Sequence, residues 1–489
     1  MRLTGSIGRE AFATALAALD AYQPDRPARP PRYQYTVPGG HRLSPALAPG
    51  AERPAPQPGS IAAAADGLRA GRVSSVELVE EALVAVEKFD PELNAVAHLM
   101  AEAARRDAAK LDTEAAAGHW RGPLHGIPIT VKDIIDVLGA PTRAGSAAYD
   151  DLPQVDAAAV TRARAAGAIV LAKVTTHEFA LGVTSPQSRN PHDPSRLPGG
   201  SSGGSAIAVS TGMGLGSIGT DTRASIRVPA ALSGVVGLKA TFGAVPTGGV
   251  VPLSWTMDHV APMATTVEDA GLLLDVLMGG RGGKLASWAG ADVTGLRVGV
   301  PESTFAGAEP AVEAAVRAAV ASLGDLGCSI TASVRPAPAD LDDANAAGLI
   351  VSRCEAAAFH RALAGDRSLY WEEVADQLEA ATSVSAVDYI DAHRLRAELA
   401  EGLLAVFDEV DLLAMPTAPV VAPPAGDFAR HLLLLSRNAI PWSLVGFPAV
   451  SIPCGQTGTL PVGVQLVAPP WREDLLVAVG TALEGALRS

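Results

Sequence analysis

Short apolar runs rich in β-branched residues recur along most of this chain, and longer stretches of helical character separate them. The clearest runs are residues 127–131, 168–172, 296–300, 411–415, 449–453 and 463–467. Short runs without polar alternation are typical of strands that are buried on both faces. Their alternation with helices is typical of a sheet that packs against helices on each side. The sequence therefore predicts an α/β fold whose sheet is covered on both faces.

The first 60 residues have a different character. Residues 8–22 have the pattern of one short amphipathic helix, and residues 23–60 contain ten prolines and few aliphatic side chains. Such composition is typical of an extended arm or linker. From Ile61 the chain becomes compact and alanine-rich, and Ser74 with Glu77 forms a capping-box signal for a helix start. We predict an N-terminal helix and Pro-rich arm over 1–60 and one domain over 61–489.

Composition and charge exclude several classes of protein. With 48% hydrophobic and 18% charged residues the chain is globular rather than disordered. Its net charge of −14 is the wrong sign for direct binding of nucleic acid. The sequence shows no secretory signal and no membrane span, which predicts a soluble, cytoplasmic protein. Its three cysteines are too widely spaced for a disulfide framework or a zinc site.

Lys132 is the most informative charged residue. It lies in the apolar run GIPITVKDIID, and only six of the chain's 38 Lys and Arg residues are lysine. Burial lowers the pKa of a lysine and can produce a neutral amine that accepts a proton, a change that arginine cannot make. A lone lysine in such a run is more often ion-paired or extended to solvent. Lys132 is therefore a candidate base that needs a partner.

Two serine-containing segments supply candidate partners. Ser201 lies in PGGSSGGSA (198–206), which is either a flexible linker or a loop that brings backbone close to a ligand. The apolar segment that follows it favours the second interpretation. Ser225 lies among small residues in TDTRASIRVPA (220–230), where it either caps a helix or acts as a nucleophile. A serine hydroxyl is a weak nucleophile and needs a nearby base.

Three different catalytic arrangements have weaker support. His177-Glu178 is not followed by a second histidine at the spacing of a zinc protease. No G-x-S-x-G segment is present to hold the nucleophile of a Ser-His-Asp triad. Cys454 lies at the end of a predicted buried strand, which is a poor position for a thiol nucleophile.

Taken together, the segments resemble the amidase signature family of serine hydrolases, from about Ile61 to the C-terminus. The matching strings are GPLHGIPITVKDIIDV, NPHDPSRLPGGSSGGSA, GTDTRASIRVPAALSGVVGLKATFGAVPTGGV, PLSWTMDHVAPMATTVEDAGLLLDVL, LLAMPT and FPAVSIPCG…LPVGVQLV. Several independent strings in the family's order make the resemblance specific. It implies the amidase-signature fold, with a central mixed β-sheet covered by helices on both faces.

The resemblance also implies a catalytic apparatus without metal or cofactor. Ser225 corresponds to the nucleophile, Ser201 to a bridging serine that follows a cis peptide bond, and Lys132 to the base. The corresponding oxyanion hole consists of the backbone N–H groups of Thr222, Arg223, Ala224 and Ser225. We expect Asp221 and Arg227 to brace this loop and Ser202 to support the proton relay.

One departure from the family pattern concerns Arg223 and Ala224, where many members have two glycines. If the loop requires positive φ, two non-glycine residues would be strained and would weaken the oxyanion hole. Alternatively the loop accepts these residues, and the arginine changes substrate choice, for example towards a carboxylate or polar acyl group. We favour the second possibility because Lys132, Ser201 and Ser225 are all present.

These inferences predict an amidohydrolase that cleaves a small, non-peptide carboxamide through a Ser225 acyl-enzyme. Esters, carbamates and aryl acylamides are alternative substrates for the same site. Two further functions compatible with the sequence are that of the A-type subunit of a tRNA-dependent amidotransferase and that of a non-catalytic assembly subunit. The expected partner is a small-molecule substrate, with no direct contact to nucleic acid or membrane, and a homodimer is compatible with the sequence.

Overall fold

The structure is a computed structural model that describes residues 4–20, 47, 55–280, 284–363, 366–426 and 433–488. Its helices are α1 (Thr4–Asp20), α2 (Ile61–Arg69), α3 (Ser75–Leu93), α4 (Ala101–Ala116), α5 (Ala158–Ala165), α6 (Gly203–Thr211), α7 (Arg227–Ser233), α8 (Val267–Met278), α9 (Pro310–Asp325), α10 (Pro338–Ala362), α11 (Glu372–Ala381), α12 (Ala386–Ala405), α13 (Ile440–Leu444) and α14 (Glu473–Arg488). Its strands are β1 (Val96–Leu99), β2 (Pro128–Lys132), β3 (Ile169–Val174), β4 (Gly216–Asp221), β5 (Val236–Lys239), β6 (His259–Ala264), β7 (Arg297–Val300), β8 (Ser329–Ala332), β9 (Leu412–Pro416), β10 (Ala449–Thr457) and β11 (Leu460–Val467). Each of the six apolar runs singled out in the sequence contributes a strand, which confirms that part of the prediction.

Within the described residues the strands form one sheet of 11 members, in the order β1-β3-β2-β4-β6-β5-β10-β11-β9-β7-β8. Parallel pairs join β2 to β3 and β4, and β7 to β8 and β9. The remaining pairs, β1–β3, β4–β6, β5–β6, β5–β10, β10–β11 and β9–β11, are antiparallel. The sheet is therefore mixed, as the resemblance implies.

Both faces of the sheet are covered, and β3 shows this directly. Ile169 and Leu171 pack into a cluster with side chains of α3, α4 and α6. Val170, between them, packs into a different cluster that includes Leu273 of α8. Successive side chains of a strand point to opposite faces, so each face of β3 has its own helical layer. The predicted fold class is confirmed.

The capping box predicted before α3 is also present. The Ser74 hydroxyl accepts a hydrogen bond from the Glu77 backbone N–H at 3.1 Å, and the Glu77 carboxylate accepts one from the Ser74 N–H at 2.7 Å. These bonds satisfy two backbone donors that the first turn of a helix leaves without partners.

Helix α1 docks on the main body of the protein. Phe12, Ala15 and Leu19 are buried at helical spacing and share one hydrophobic cluster with residues of α10, α11 and α12. The sequence predicted the helix but not its contacts. Most of the Pro-rich segment 23–60 lies outside the described residues, and the boundary at residue 60 stays a prediction.

No helix in the described ranges is long and apolar enough to cross a membrane.

The docking of α1 leads to a testable expectation. Substituting Phe12→Ala removes its largest buried side chain and should weaken docking by about 3 kcal/mol, the usual cost of truncating a buried phenylalanine. Hydrogen–deuterium exchange should then become faster across 4–20. The control Ala13→Ser changes an exposed position of the same helix. Equal protection in both variants would contradict docking through this face.

Candidate active site

Lys132 is the last residue of β2, a strand in which all five residues are buried. β2 is an interior strand of the sheet, with β3 on one side and β4 on the other. The side chain of Lys132 is fully buried. The apolar run that made this lysine conspicuous in the sequence is therefore the physical cause of its burial.

Two hydroxyl groups surround the Lys132 amine. Its Nζ donates hydrogen bonds to Ser201 Oγ and to Thr220 Oγ1, both at 2.8 Å. Thr220 is on β4, the strand beside β2. Among the described residues no carboxylate forms an ion pair with this amine. Neutral partners of this kind do not require the amine to be charged.

Electrostatics favour the neutral form of Lys132. Burial lowers the pKa of the amine to about 7, although the negative charges of Asp258 and Asp221 raise it in part. The other two buried strand lysines have different surroundings: Lys173 forms an ion pair with Asp133 at 3.2 Å, and Lys239 donates to the Phe447 carbonyl. Lys132 thus differs from them in having only hydroxyl partners.

The Ser201 loop is a fixed part of the core, which excludes the flexible-linker interpretation. The Gly200–Ser201 peptide bond is cis. A Cβ at Gly200 would lie 2.1 Å from the Thr184 carbonyl oxygen, so only glycine fits there. The Ser201 carbonyl accepts hydrogen bonds from the His177 N–H at 3.1 Å and the Ser185 hydroxyl at 3.2 Å. These contacts hold the Ser201 hydroxyl against the Lys132 amine.

Ser225 lies in the buried connection between β4 and α7. Its carbonyl accepts a hydrogen bond from the Ser202 N–H at 3.2 Å, which joins the two serine segments. No hydrogen bond links the hydroxyls of Ser201 and Ser225 in the described structure. Catalytic hydrogen bonds are often long or misaligned before substrate binds.

Four successive backbone N–H groups around Ser225 have no hydrogen-bond partner among the described residues. In the described part of the chain, the N–H groups of Thr222, Arg223, Ala224 and Ser225 donate no hydrogen bond. All four residues are buried. Buried backbone donors are nearly always paired, so this segment is suited to bind an oxygen that carries negative charge.

The loop needs no glycine at the two positions where many family members have it. Neither Arg223 nor Ala224 has positive φ. The strained-loop interpretation is therefore excluded, and the backbone here accepts L-residues without penalty.

Asp221 and Arg227 form a buried ion pair at either end of the Ser225 segment. Arg227 Nε and Nη2 donate to the two carboxylate oxygens of Asp221 at 2.9 and 3.1 Å. Burial alone would raise the pKa of Asp221, but the charge and hydrogen bonds of Arg227 hold it below its ordinary value. Arg227 also donates to Gln465 on β11 and to Ser443 on α13. The pair therefore fixes the segment to distant parts of the fold.

Ser202 connects the serine loop to β4. Its hydroxyl donates to the Thr220 carbonyl at 3.1 Å and accepts from the Thr220 N–H at 3.4 Å. Because Thr220 also contacts the Lys132 amine, Ser202 helps to set the geometry of the candidate base. This position agrees with the supporting role expected for Ser202, which stays a prediction.

Sequence reasoning missed Asp258, which is buried near the base. Its carboxylate accepts hydrogen bonds from the Thr222 hydroxyl at 2.6 Å and from the backbone N–H groups of Leu253 and Ser254 at 3.0 Å. Burial raises its pKa to about 7, against the effect of these hydrogen bonds. Asp258 is part of the string PLSWTMDHVAP, but nothing in that string indicates its contact with Thr222, 36 positions away.

The weaker catalytic candidates have other environments. His177 Nε2 is 2.7 Å from the Glu373 carboxylate, and no group of three His, Cys, Asp or Glu residues within the described ranges could hold a metal ion. Burial raises the pKa of the Cys454 thiol to about 12, which makes it a poor nucleophile at neutral pH.

Comparisons with known proteins agree on one family. A family model described as Amidase matches residues 77–477. The A-type subunit of the glutamyl-tRNA(Gln) amidotransferase of Chloroflexus aurantiacus is 36% identical over 466 residues, which span 87% of this chain and 96% of the relative. An amidase of Pseudomonas putida is 35% identical over 449 residues, with the same two coverages.

Solved structures give the same result. A crystal structure of an amidase has a TM-score of 0.79 and 36% identity, and the match covers 87% of this chain and 99% of the other. The peptide amidase of Stenotrophomonas maltophilia has a TM-score of 0.76 and 28% identity, with coverages of 88% and 97%. Enzymes of this kind are hydrolases or amidotransferases that act on C–N bonds. This chain belongs to the amidase signature family.

Proposed function

We propose that this protein hydrolyses a small carboxamide through an acyl-enzyme on Ser225. The observation that carries the proposal is the buried Lys132 amine, whose pKa is lowered to about 7 and whose Nζ lies 2.8 Å from Ser201 Oγ. A neutral amine in contact with one of two adjoining serine segments is the base that a serine nucleophile needs.

The first half of the reaction forms the acyl-enzyme. Neutral Lys132 accepts the proton of the Ser201 hydroxyl, and Ser201 accepts the proton of Ser225. The Ser225 oxygen then attacks the amide carbon, and the carbonyl oxygen becomes negatively charged. The protons return through Ser201 to the nitrogen of the breaking C–N bond, which leaves as ammonia or an amine.

Water completes the cycle in the second half. The same relay removes a proton from a water molecule, whose oxygen attacks the ester carbon of the acyl-enzyme. The C–O bond to Ser225 breaks, Ser225 regains its proton, and a carboxylic acid is released. Lys132 begins and ends the cycle as a neutral amine.

The unpaired N–H groups of Thr222, Arg223, Ala224 and Ser225 are the proposed oxyanion hole. Loss of a single such donor typically lowers the rate by about 10²–10³-fold. The hydrogen bond from Thr222 to Asp258 and the ion pair of Asp221 with Arg227 keep this backbone in place. They act as positioning residues rather than as reactants.

The same intermediate also serves esters, carbamates and aryl acylamides, so these remain alternative substrates. The amidase relatives favour an amide. A second candidate function comes from the relatives named as A-type subunits of glutamyl-tRNA(Gln) amidotransferases. In that role, ammonia released from glutamine would pass to a partner chain. A purely structural role is disfavoured because all three triad residues are present.

The first test uses the purified protein and a panel of aliphatic amides, aryl amides, esters and carbamates. We expect ammonia or amine release by the wild type, background turnover by Ser225→Ala, and wild-type turnover by Ser383→Ala, which changes an exposed serine. Turnover that appears only with glutamine, glutamyl-tRNA and co-purified chains would favour the amidotransferase. Wild-type turnover by Ser225→Ala would contradict the proposal.

The second test follows pH. Below about 7 Lys132 is protonated and cannot accept a proton from Ser201, so kcat/KM should fall about tenfold per pH unit towards acid and level off above 7. Labelling of Ser225 by a fluorophosphonate should show the same dependence without any substrate.

The Lys132→Met variant should have values of kcat/KM and of the fluorophosphonate labelling rate that are lower by about 10²–10⁴-fold. The control Lys110→Met, on the exposed surface of α4, should leave both quantities unchanged. If the fluorophosphonate labels the Lys132→Met variant at the wild-type rate, Lys132 is excluded as the base.

The third test concerns Asp258, whose negative charge raises the pKa of Lys132. Asp258→Asn removes that charge while its carbonyl oxygen can still accept a hydrogen bond from Thr222. Among the charges that act on Lys132, Asp221 remains. Asp258 itself has a pKa of about 7, so it carries its charge through only part of the acid limb, and the midpoint of that limb should move to lower pH by less than about one unit. A shift towards higher pH would contradict this assignment.

A further inference from the structure

Arg223 is a buried cation that forms no ion pair with the described residues. Its side chain is 4% exposed, and its Nε and Nη2 atoms are buried and make no hydrogen bond in the described part of the structure. Burial lowers the pKa of its guanidinium to about 10, so the group is still charged at neutral pH. Buried charges in proteins are normally paired, because an isolated charge loses its hydration without compensation.

The Nε–Nη2 edge of the Arg223 guanidinium has no partner among the described residues. Other arginines of this protein bind carboxylates through this same edge. Arg227 binds Asp221 through Nε and Nη2, at 2.9 and 3.1 Å. Arg297 binds Asp411 through the same two atoms, at 3.4 and 2.9 Å. This edge matches the spacing of two carboxylate oxygens. Arg223 therefore presents an unpaired carboxylate-binding fork.

A second arginine makes this region more positive. Burial and the nearby charge of Arg223 lower the pKa of Arg353, which lies on α10. The hydrogen bonds of Arg353 go to neutral groups, namely Gln377, Ser352 and the Leu181 carbonyl. Glu373 opposes the charge of Arg353 in part, but its carboxylate is also bonded to His177 at 2.7 Å.

Arg223 lies close in the chain to Ser225, the proposed nucleophile. Arg223 precedes Ser225 by two residues and is in the same buried segment, so their Cα atoms are at most about 7 Å apart. This separation is short enough for an arginine side chain to reach a group attached to Ser225.

We propose that Arg223 binds a carboxylate carried by the acyl part of the substrate, so that the substrates are monoamides of short dicarboxylic acids. The proposal rests on the hydrolytic function proposed above and specifies its substrate class. The carboxylate is not a reactant: it occupies the Nε–Nη2 edge and supplies the missing negative charge. A neutral amide leaves that edge unpaired, and sites with unpaired buried polar groups discriminate strongly against such analogues.

The test compares each monoamide with its diamide, which has nearly the same shape and no charge. The pairs are malonamate and malonamide, succinamate and succinamide, and glutaramate and glutaramide. For at least one pair, kcat/KM of the wild type should be about 100-fold higher for the monoamide. A ratio near or below one for every pair overturns the proposal.

Variants test whether Arg223 causes the preference for the monoamide over the diamide. Arg223→Met should bring the ratio close to one, and Arg223→Lys, which keeps a cation but loses the fork, should give an intermediate ratio. Arg105→Met removes a surface cation and should keep the wild-type ratio. Circular dichroism and fluorophosphonate labelling establish that each variant is folded; if Arg223→Met does not fold, Arg223→Lys decides. If a folded Arg223 variant keeps the wild-type ratio of kcat/KM between monoamide and diamide, the proposed role of Arg223 is wrong.

Binding measurements distinguish failure of this proposal from failure of the proposed hydrolytic function. In calorimetry, Ser225→Ala should bind the preferred monoamide, and a second substitution, Arg223→Met, should weaken that binding by about 100-fold. Turnover of neutral amides without a carboxylate preference would refute the role of Arg223 and leave the hydrolase standing. Arg223-dependent binding by a protein that never reacts at Ser225 would refute the hydrolase alone.

Discussion

The exclusion of water from the side-chain amine of Lys132 is the constraint on which the rest of the site depends. An ammonium group buried at the end of β2, between Ser201 and Thr220, would lose its hydration and would have no ion-pair partner among the described residues. The protein therefore favours the uncharged amine, which is also the chemically useful form. The interior strands β2 and β4 therefore create the environment that makes Lys132 the candidate base.

Much of this arrangement could be predicted from the sequence because its signals are local. Apolar runs indicated the strands, the apolar surroundings of Lys132 indicated its burial, and glycines indicated a tight loop at Ser201. The strings shared with the amidase signature family suggested roles for Ser225 and its neighbours, which stay predictions. Each of these inferences depended on residues that are adjacent in the chain.

The remaining features arise from contacts between residues far apart in the chain. Thr222 binds Asp258 across 36 positions, and Arg353 on α10 is close enough to Arg223 to affect its charge environment, which local composition does not reveal. The docking of α1 depends on side chains of α10 to α12 that the helix's own pattern does not identify. Nor did the pattern indicate whether Arg223 and Ala224 needed positive φ, because φ depends on how the loop is held from both ends.

The contacts of Arg227 have a consequence for synthesis of the protein. This arginine, next to the Ser225 segment, is bonded to Gln465, 238 positions later, and to Ser443, 216 positions later. Domains are made from the N-terminus onwards, and contacts of long sequence separation form late. A growing chain that has just left the ribosome as far as α12 already contains Lys132, Ser201 and Ser225, yet it lacks the groups that complete the hydrogen bonding of Arg227. We therefore expect the Ser225 segment to reach its final geometry only after α13 and β11 have been made.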